Sequence, residues 1–220
     1  MNTANPRILS VALLLLPLAI ACSPGKKADS AAGGAQKSDT GMAGMAGMAG
    51  MDGMSAPVTI PKGSLYTVAD VHFMQGMIAH HAQAIFMARM AASHKANARL
   101  LKFAQKIDQS QRAEILLMQD WLTSKNQTAP DTASYHTVMM PGMLTAEQIK
   151  QLEAARGAEF DKQFLVLMIQ HHEGALKMVD DLLNTPQAAQ DVAVSVFAND
   201  VTAVQSAEIT LMRKMLANQH

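Results

Sequence analysis

Asp70-Val71-His72-Phe73-Met74-Gln75-Gly76-Met77-Ile78-Ala79-His80-His81-Ala82-Gln83-Ala84-Ile85-Phe86-Met87-Ala88 is the stretch whose reading decides the fold. It returns 91 residues later as Asp161-Lys162-Gln163-Phe164-Leu165-Val166-Leu167-Met168-Ile169-Gln170-His171-His172-Glu173-Gly174-Ala175-Leu176-Lys177-Met178-Val179. Eight of the nineteen residues recur unchanged, among them both histidines and two methionines. A downstream block repeats as well. Phe103-Ala104, Ile107, Gln111, Glu114-Ile115, Met118 and Leu122 come back 94 residues on as Phe197-Ala198, Val201, Gln205, Glu208-Ile209, Met212 and Leu216. A supersecondary unit used twice sets the architecture before any single residue is interpreted.

Helical spacing runs through both blocks. At about 100° per residue, Phe73, Met77, His80, Ala84, Met87 and Ala91 fall on one stripe, with His81 at its edge. Thr67 with Asp70 reads as an N-terminal cap, and Ser93-His94-Lys95 as a break. A second helix over about 96–123 has the stripe Leu100, Phe103, Ile107, Glu114, Leu117 and Trp121; its counterpart carries Phe197, Val201, Glu208, Leu211 and Met215. Thr145 with Gln148 forms a capping box, Gly157 marks a break or a close contact, and the next long helix runs to about Leu183. Pro186 suits the first turn of the last helix, to about Ala217. No segment alternates with period two. The expected fold is all-α: an antiparallel four-helix bundle of two repeated helix pairs over 65–220, with repeat one at about 66–124, a crossover at 125–144 and repeat two at about 145–217.

The N-terminus reads differently. Arg7 followed by the apolar run Ile8–Ile20 is too short to span a bilayer and fits a signal peptide over 1–21. The ending Leu18-Ala19-Ile20-Ala21-Cys22 resembles a lipoprotein signal in which Cys22 is acylated, and Ser23 points to the outer membrane of a Gram-negative cell, facing the periplasm. As the sole cysteine, Cys22 excludes a disulfide within the chain. Residues 22–64, rich in Gly, Ala and Met, are expected to be a disordered tether. Within it Met42, Met45, Met48, Met51 and Met54 recur every third residue. Glycine at that density opposes a helix, and exposed thioethers are a poor choice for a plain spacer in an oxidising compartment. They are soft ligands suited to Cu(I) or Ag(I), so the strip reads as a metal-capture element, against the plainer reading of a spacer.

The balance of 18 basic and 18 acidic residues gives nucleic acid no purchase. Nucleophilic catalysis lacks a candidate, phosphate loops are missing, and no catalytic residue is expected. A pseudo-two-fold axis would bring His80 and His171 together. Met77 and Met168 stand one turn before His81 and His172, and Glu114 and Glu208 are expected to approach His80 and His171 from the partner helices, as ligands or as acceptors that hold the imidazole tautomer. Symmetric His-His pairs with a methionine four residues before favour metal chemistry over core filling; Met87, Met118, Met178 and Met212 read as core. A di-metal carboxylate enzyme is the competing reading. It calls for Glu-x-x-His on two helices, which the site lacks. A third reading is an interaction module with structural histidines.

The two Phe-x-x-x-Met-Ile-x-His-His segments resemble a known family. With Met140-Pro141-Gly142-Met143 and Gly157…Phe160-Asp161…Phe164-Leu165, they are similar to domain of unknown function 305 over about 66–217. The resemblance implies a secreted or lipid-anchored ferritin-like bundle, some of whose members bind copper and confer copper tolerance. Carried over, it implicates Met77, His80, His81, Met168, His171 and His172. The expected cofactor is copper, Cu(I) first, with Cu(II) open to the imidazoles. Expected partners are the copper ion, the membrane through the lipid anchor alone, a copper-trafficking protein and a second copy of the chain.

Overall fold

The computed structural model describes residues 57–218, which are helical with short connections. The helices are α1 (Val68–Ser93), α2 (Ala98–Ser124), α3 (Ala146–Ala154), α4 (Ala158–Leu183) and α5 (Val192–Ala217), with a 3₁₀ turn at Thr132–His136. The four long helices form two antiparallel hairpins, α1–α2 and α4–α5, joined through α1 against α4. Among the described residues no strand occurs and no helix is long and apolar enough to cross a membrane. The signal peptide, Cys22 and the five tether methionines lie outside the described residues.

Local chemistry sets most helix ends. Thr67 accepts from the Asp70 backbone N–H while Asp70 accepts from that of Thr67, a complete capping box; Thr145 and Gln148 repeat it on α3. Gly157 opens α4 at φ +58°, and a Cβ there would meet nothing, so it serves as a break rather than a close contact. The start of α5 departs from expectation. Gln187 and Ala189 adopt positive φ, and the helix begins only at Val192, where Asp191 accepts from the N–H of Ala193 and Val194. Pro186 therefore sits in the preceding turn.

The recurring aspartates stitch the repeats together. Asp70 on α1 accepts from the N–H of Ala189, ahead of α5, at 2.7 Å. Asp161 on α4 accepts from the N–H and side-chain amide of Asn97, ahead of α2, at 3.2 and 2.8 Å. Each repeat thus satisfies backbone donors at the other's helix entry, where a buried unpaired N–H would cost ~1–3 kcal/mol.

Two stripes also differ from expectation. α1 is buried on nearly every side, because α2, α4 and the 3₁₀ turn cover it; a helix apolar all round belongs inside. On α2 the buried face follows Gln111, Ile115, Met118 and Leu122, which leaves Leu117 47% exposed and Glu114 at the margin. Leu211 on α5 is likewise only half-buried.

Candidate metal centre

Apolar packing divides into two clusters with a polar layer between them. One holds Met77, Met118, Met178 and Phe197; the other holds Met87, Phe103, Met168 and Met212. On α2, α4 and α5 the change of cluster falls at the polar residues Gln111 with Glu114, His171-His172, and Gln205 with Glu208; on α1 it falls one turn after His80-His81, between Ala82 and Met87. All four histidines are at most 1% exposed.

The pseudo-two-fold axis brings His80 and His171 together, with ring centroids 3.9 Å apart and 43° between the planes. Adjacent helical residues point about 100° apart, so the second histidine of each pair faces its own partner helix. His81 Nε2 lies 2.6 Å from Glu114 Oε2, and His172 Nε2 lies 3.0 Å from Glu208 Oε2. The carboxylates thus meet the outer histidines rather than His80 and His171 as expected, because His80 and His171 turn to each other and away from the partner helices. His80 Nε2 donates to the Pro141 carbonyl at 3.0 Å.

These partners fix the tautomers. With Nε2–H donating to a carboxylate or carbonyl, Nδ1 carries the lone pair in His80, His81 and His172. Each of these Nδ1 atoms is buried without a hydrogen-bond partner in the protein, as are both ring nitrogens of His171, both amide atoms of Gln111, Gln205 Oε1 and Glu208 Oε1. Buried polar atoms are otherwise satisfied nine times in ten, so this concentration in one layer makes it the candidate for a ligand. Burial and the neighbouring His81 lower the pKa of His80 to about 3, and burial with His80 holds that of His171 well below the ordinary value. Both rings stay neutral near pH 7, the state that binds a metal.

Among the described residues no three His, Cys, Asp or Glu side chains converge on one point, so the layer is built of pairs and any further donor must be of another type. Met77 and Met168, both fully buried, flank the layer on opposite sides, one turn from His81 and His172.

Gln111 and Gln205, which recur 94 residues apart like the glutamates, carry no role in the sequence reading, yet they belong to this layer. The Met140–Met143 loop is the second missed contributor. A Cβ on Gly174 would sit 2.0 Å from Pro141 O, so only glycine lets the loop lie on α4 and present that carbonyl to His80. Gln83, at the equivalent place on α1, instead clamps Leu144 through both its backbone groups, at 2.7 and 3.1 Å.

The family model described as Domain of unknown function (DUF305) matches residues 70–216. The chain belongs to this family. A DUF305 protein from Streptomyces coelicolor has a similar structure, with a TM-score of 0.60 at 26% identity over 69% of this chain and 93% of that one. A DUF305 fragment from Deinococcus radiodurans gives 0.59 at 26% identity, over 69% and 97%. CopM, solved in Cu(I)-bound and Cu(II)-bound forms, gives 0.55 at 28% identity, over 69% and 97%. It was also solved in an Ag-bound form. No curated protein sequence matches. The all-helical DUF305 fold is thus shared with a protein that binds copper and silver.

Proposed function

We propose that this chain is a periplasm-facing copper-binding lipoprotein that sequesters copper or passes it on, and so serves copper tolerance. The observation that carries this reading is the buried layer of four imidazoles whose free nitrogens have no partner in the protein. Their depressed basicity at His80 and His171 favours a metal over a proton. Paired imidazoles with Met77 and Met168 nearby form a soft, neutral donor set, suited to Cu(I) and not to Mg, Ca or Mn. Glu114 and Glu208 each hold a histidine of their own helix pair, the arrangement of acceptors that orient ligands rather than of carboxylates shared between two metals. That disfavours a di-metal enzyme. CopM, similar in fold, supports copper and silver as the class of ion.

The tether methionines Met42, Met45, Met48, Met51 and Met54 supply a second thioether set for capture, and Cys22 the lipid anchor. Titrating residues 22–220 and residues 65–220 with Cu(I) against a competing chelator separates the two sets. Tight binding by the shorter chain is expected. Binding by the longer chain alone would assign the copper chemistry to the tether, and binding by neither would overturn the reading.

A further inference from the structure

The two His–Glu pairs are equivalent by repeat yet differ in access. Glu208 is 4% exposed, and Lys106 Nζ reaches across from α2 to within 3.6 Å of its Oε1. Glu114 is 25% exposed. The residue that stands to Glu114 as Lys106 stands to Glu208 is 94 positions on, and it is Asp200, exposed on α5. Where one pair is fastened by a cation, the other faces an acid.

A hollow of about 740 Å³ opens on that side, along the seam of α2 and α5. Asp120, Asp191 and Asp200 line it, with Trp121 and Phe197 among its apolar walls. Lys125 and Trp121 both bond Asp191 at 3.1 Å, whereas Asp120 and Asp200 make no ion pair among the described residues. The Phe197 ring of its wall lies 6.3 Å from that of His81, so one aromatic ring stands between the hollow and the outer histidine of repeat one. A second fastening differs in the same sense. Arg213 on α5 bonds Glu173 on α4 at 2.7 Å, whereas the matching positions in repeat one are Gln119 and Ala82, which carry no charge.

We infer that the α2–α5 hollow over His81 and Glu114 is the port by which a cation enters the central layer, and that Lys106 closes the equivalent approach to His172. This inference rests on the copper reading and adds a direction to it. Carboxylates on low-dielectric walls concentrate a cation and raise its rate of arrival by 10-fold or more, an effect that salt screens. Asp200 acts through the rate, since it bonds none of the layer's side chains, whereas Lys106 also meets Glu208 and is compared with wild type by its loading rate.

The test is stopped-flow transfer of Cu(I) from a chelator to the metal-free full chain at low ionic strength, with the equilibrium affinity measured in parallel. Asp200→Lys is expected to slow loading about 10-fold, and Asp200→Asn by less, with affinity unchanged. Lys106→Asp is expected to accelerate it. All three differences should collapse in 1 M salt, where the Debye length is ~3 Å. Wild-type loading rates in both Asp200 variants with affinity intact would overturn the port. Failure of the wild-type chain to hold Cu(I) would overturn the copper reading instead, and the port with it.

Discussion

Repeat one and repeat two carry the same signature and put it to different structural use. In repeat two, α4 is an ordinary amphipathic helix, Gly174 lets the Pro141 loop lie against it, and the His172–Glu208 pair is closed under Lys106. In repeat one, α1 is enclosed on nearly all sides, Gln83 clamps the same loop by hydrogen bonds, and the His81–Glu114 pair stays partly open. The residues that recur include the central layer, its two aspartate stitches and part of the apolar packing on either side; among those that differ are the ones that decide how the loop docks and where the layer meets solvent. Duplication built the layer, and divergence around it gave the layer an inside and an outside.

The sharpest way to break this comparison is at the loop. Gly174→Ala drives a methyl into the Pro141 backbone and should cost about 3 kcal/mol, because neither the loop nor α4 can give way by flexing a side chain. Gln83→Ala at the matching site removes two hydrogen bonds to Leu144, each with a net worth of about 0.5–1.5 kcal/mol, and should cost about 1–3 kcal/mol. Thermal melts read both, at about 2–4 °C per kcal/mol for a chain of this size. Equal costs, or a larger cost for Gln83→Ala, would contradict the account of the loop.

Acid should loosen the layer next. His80 and His171 have folded pKa values below the unfolded value of about 6.5, so the unfolded chain takes up more protons as pH falls. Their contribution is intact above that value and is lost on acidification below it. Taking the metal-free protein from pH 7.5 to pH 5.5 should cost on the order of 1 kcal/mol per histidine. Replacing both with glutamine should flatten this dependence; an unchanged slope would show that other groups titrate.

The smallest difference is at the acids. Glu208→Gln, buried beside Lys106, should cost ~1 kcal/mol, and Glu114→Gln, a quarter exposed, a few tenths. Chemical denaturation midpoints resolve the two, and the reverse order would remove the distinction between a closed and an open pair.

Much of this was legible in the chain. The 91-residue repeat gives the helix pairs, and a 100° step between adjacent histidines means one of each pair points into the bundle and the other along its flank; that the flank histidines are the ones to meet Glu114 and Glu208 depends on helix heights the repeat does not give. The capping boxes at Thr67 and Thr145 mark helix starts because both halves of each box are local. What could not be read depends on contacts distant in sequence. α1 looked single-faced because its outer cover is the 3₁₀ turn, some fifty residues away. Glu114 looked central because the stripe was drawn through Leu117, whereas packing selects Ile115 and Met118. The roles of Gln111 and Gln205 stayed hidden because an amide shows its importance only when its partners are found missing. Pro186 misled because proline is compatible with a helix start, while the start itself is set by the side chain of Asp191 and the positive φ of Ala189.

The central claim is that the buried imidazole layer holds copper. Its most direct test is competitive Cu(I) titration of the folded chain against the variant with His80, His81, His171 and His172 all replaced by alanine. The account predicts that the variant loses the tight bundle-bound ion while retaining its helical spectrum; unchanged stoichiometry and affinity would contradict it.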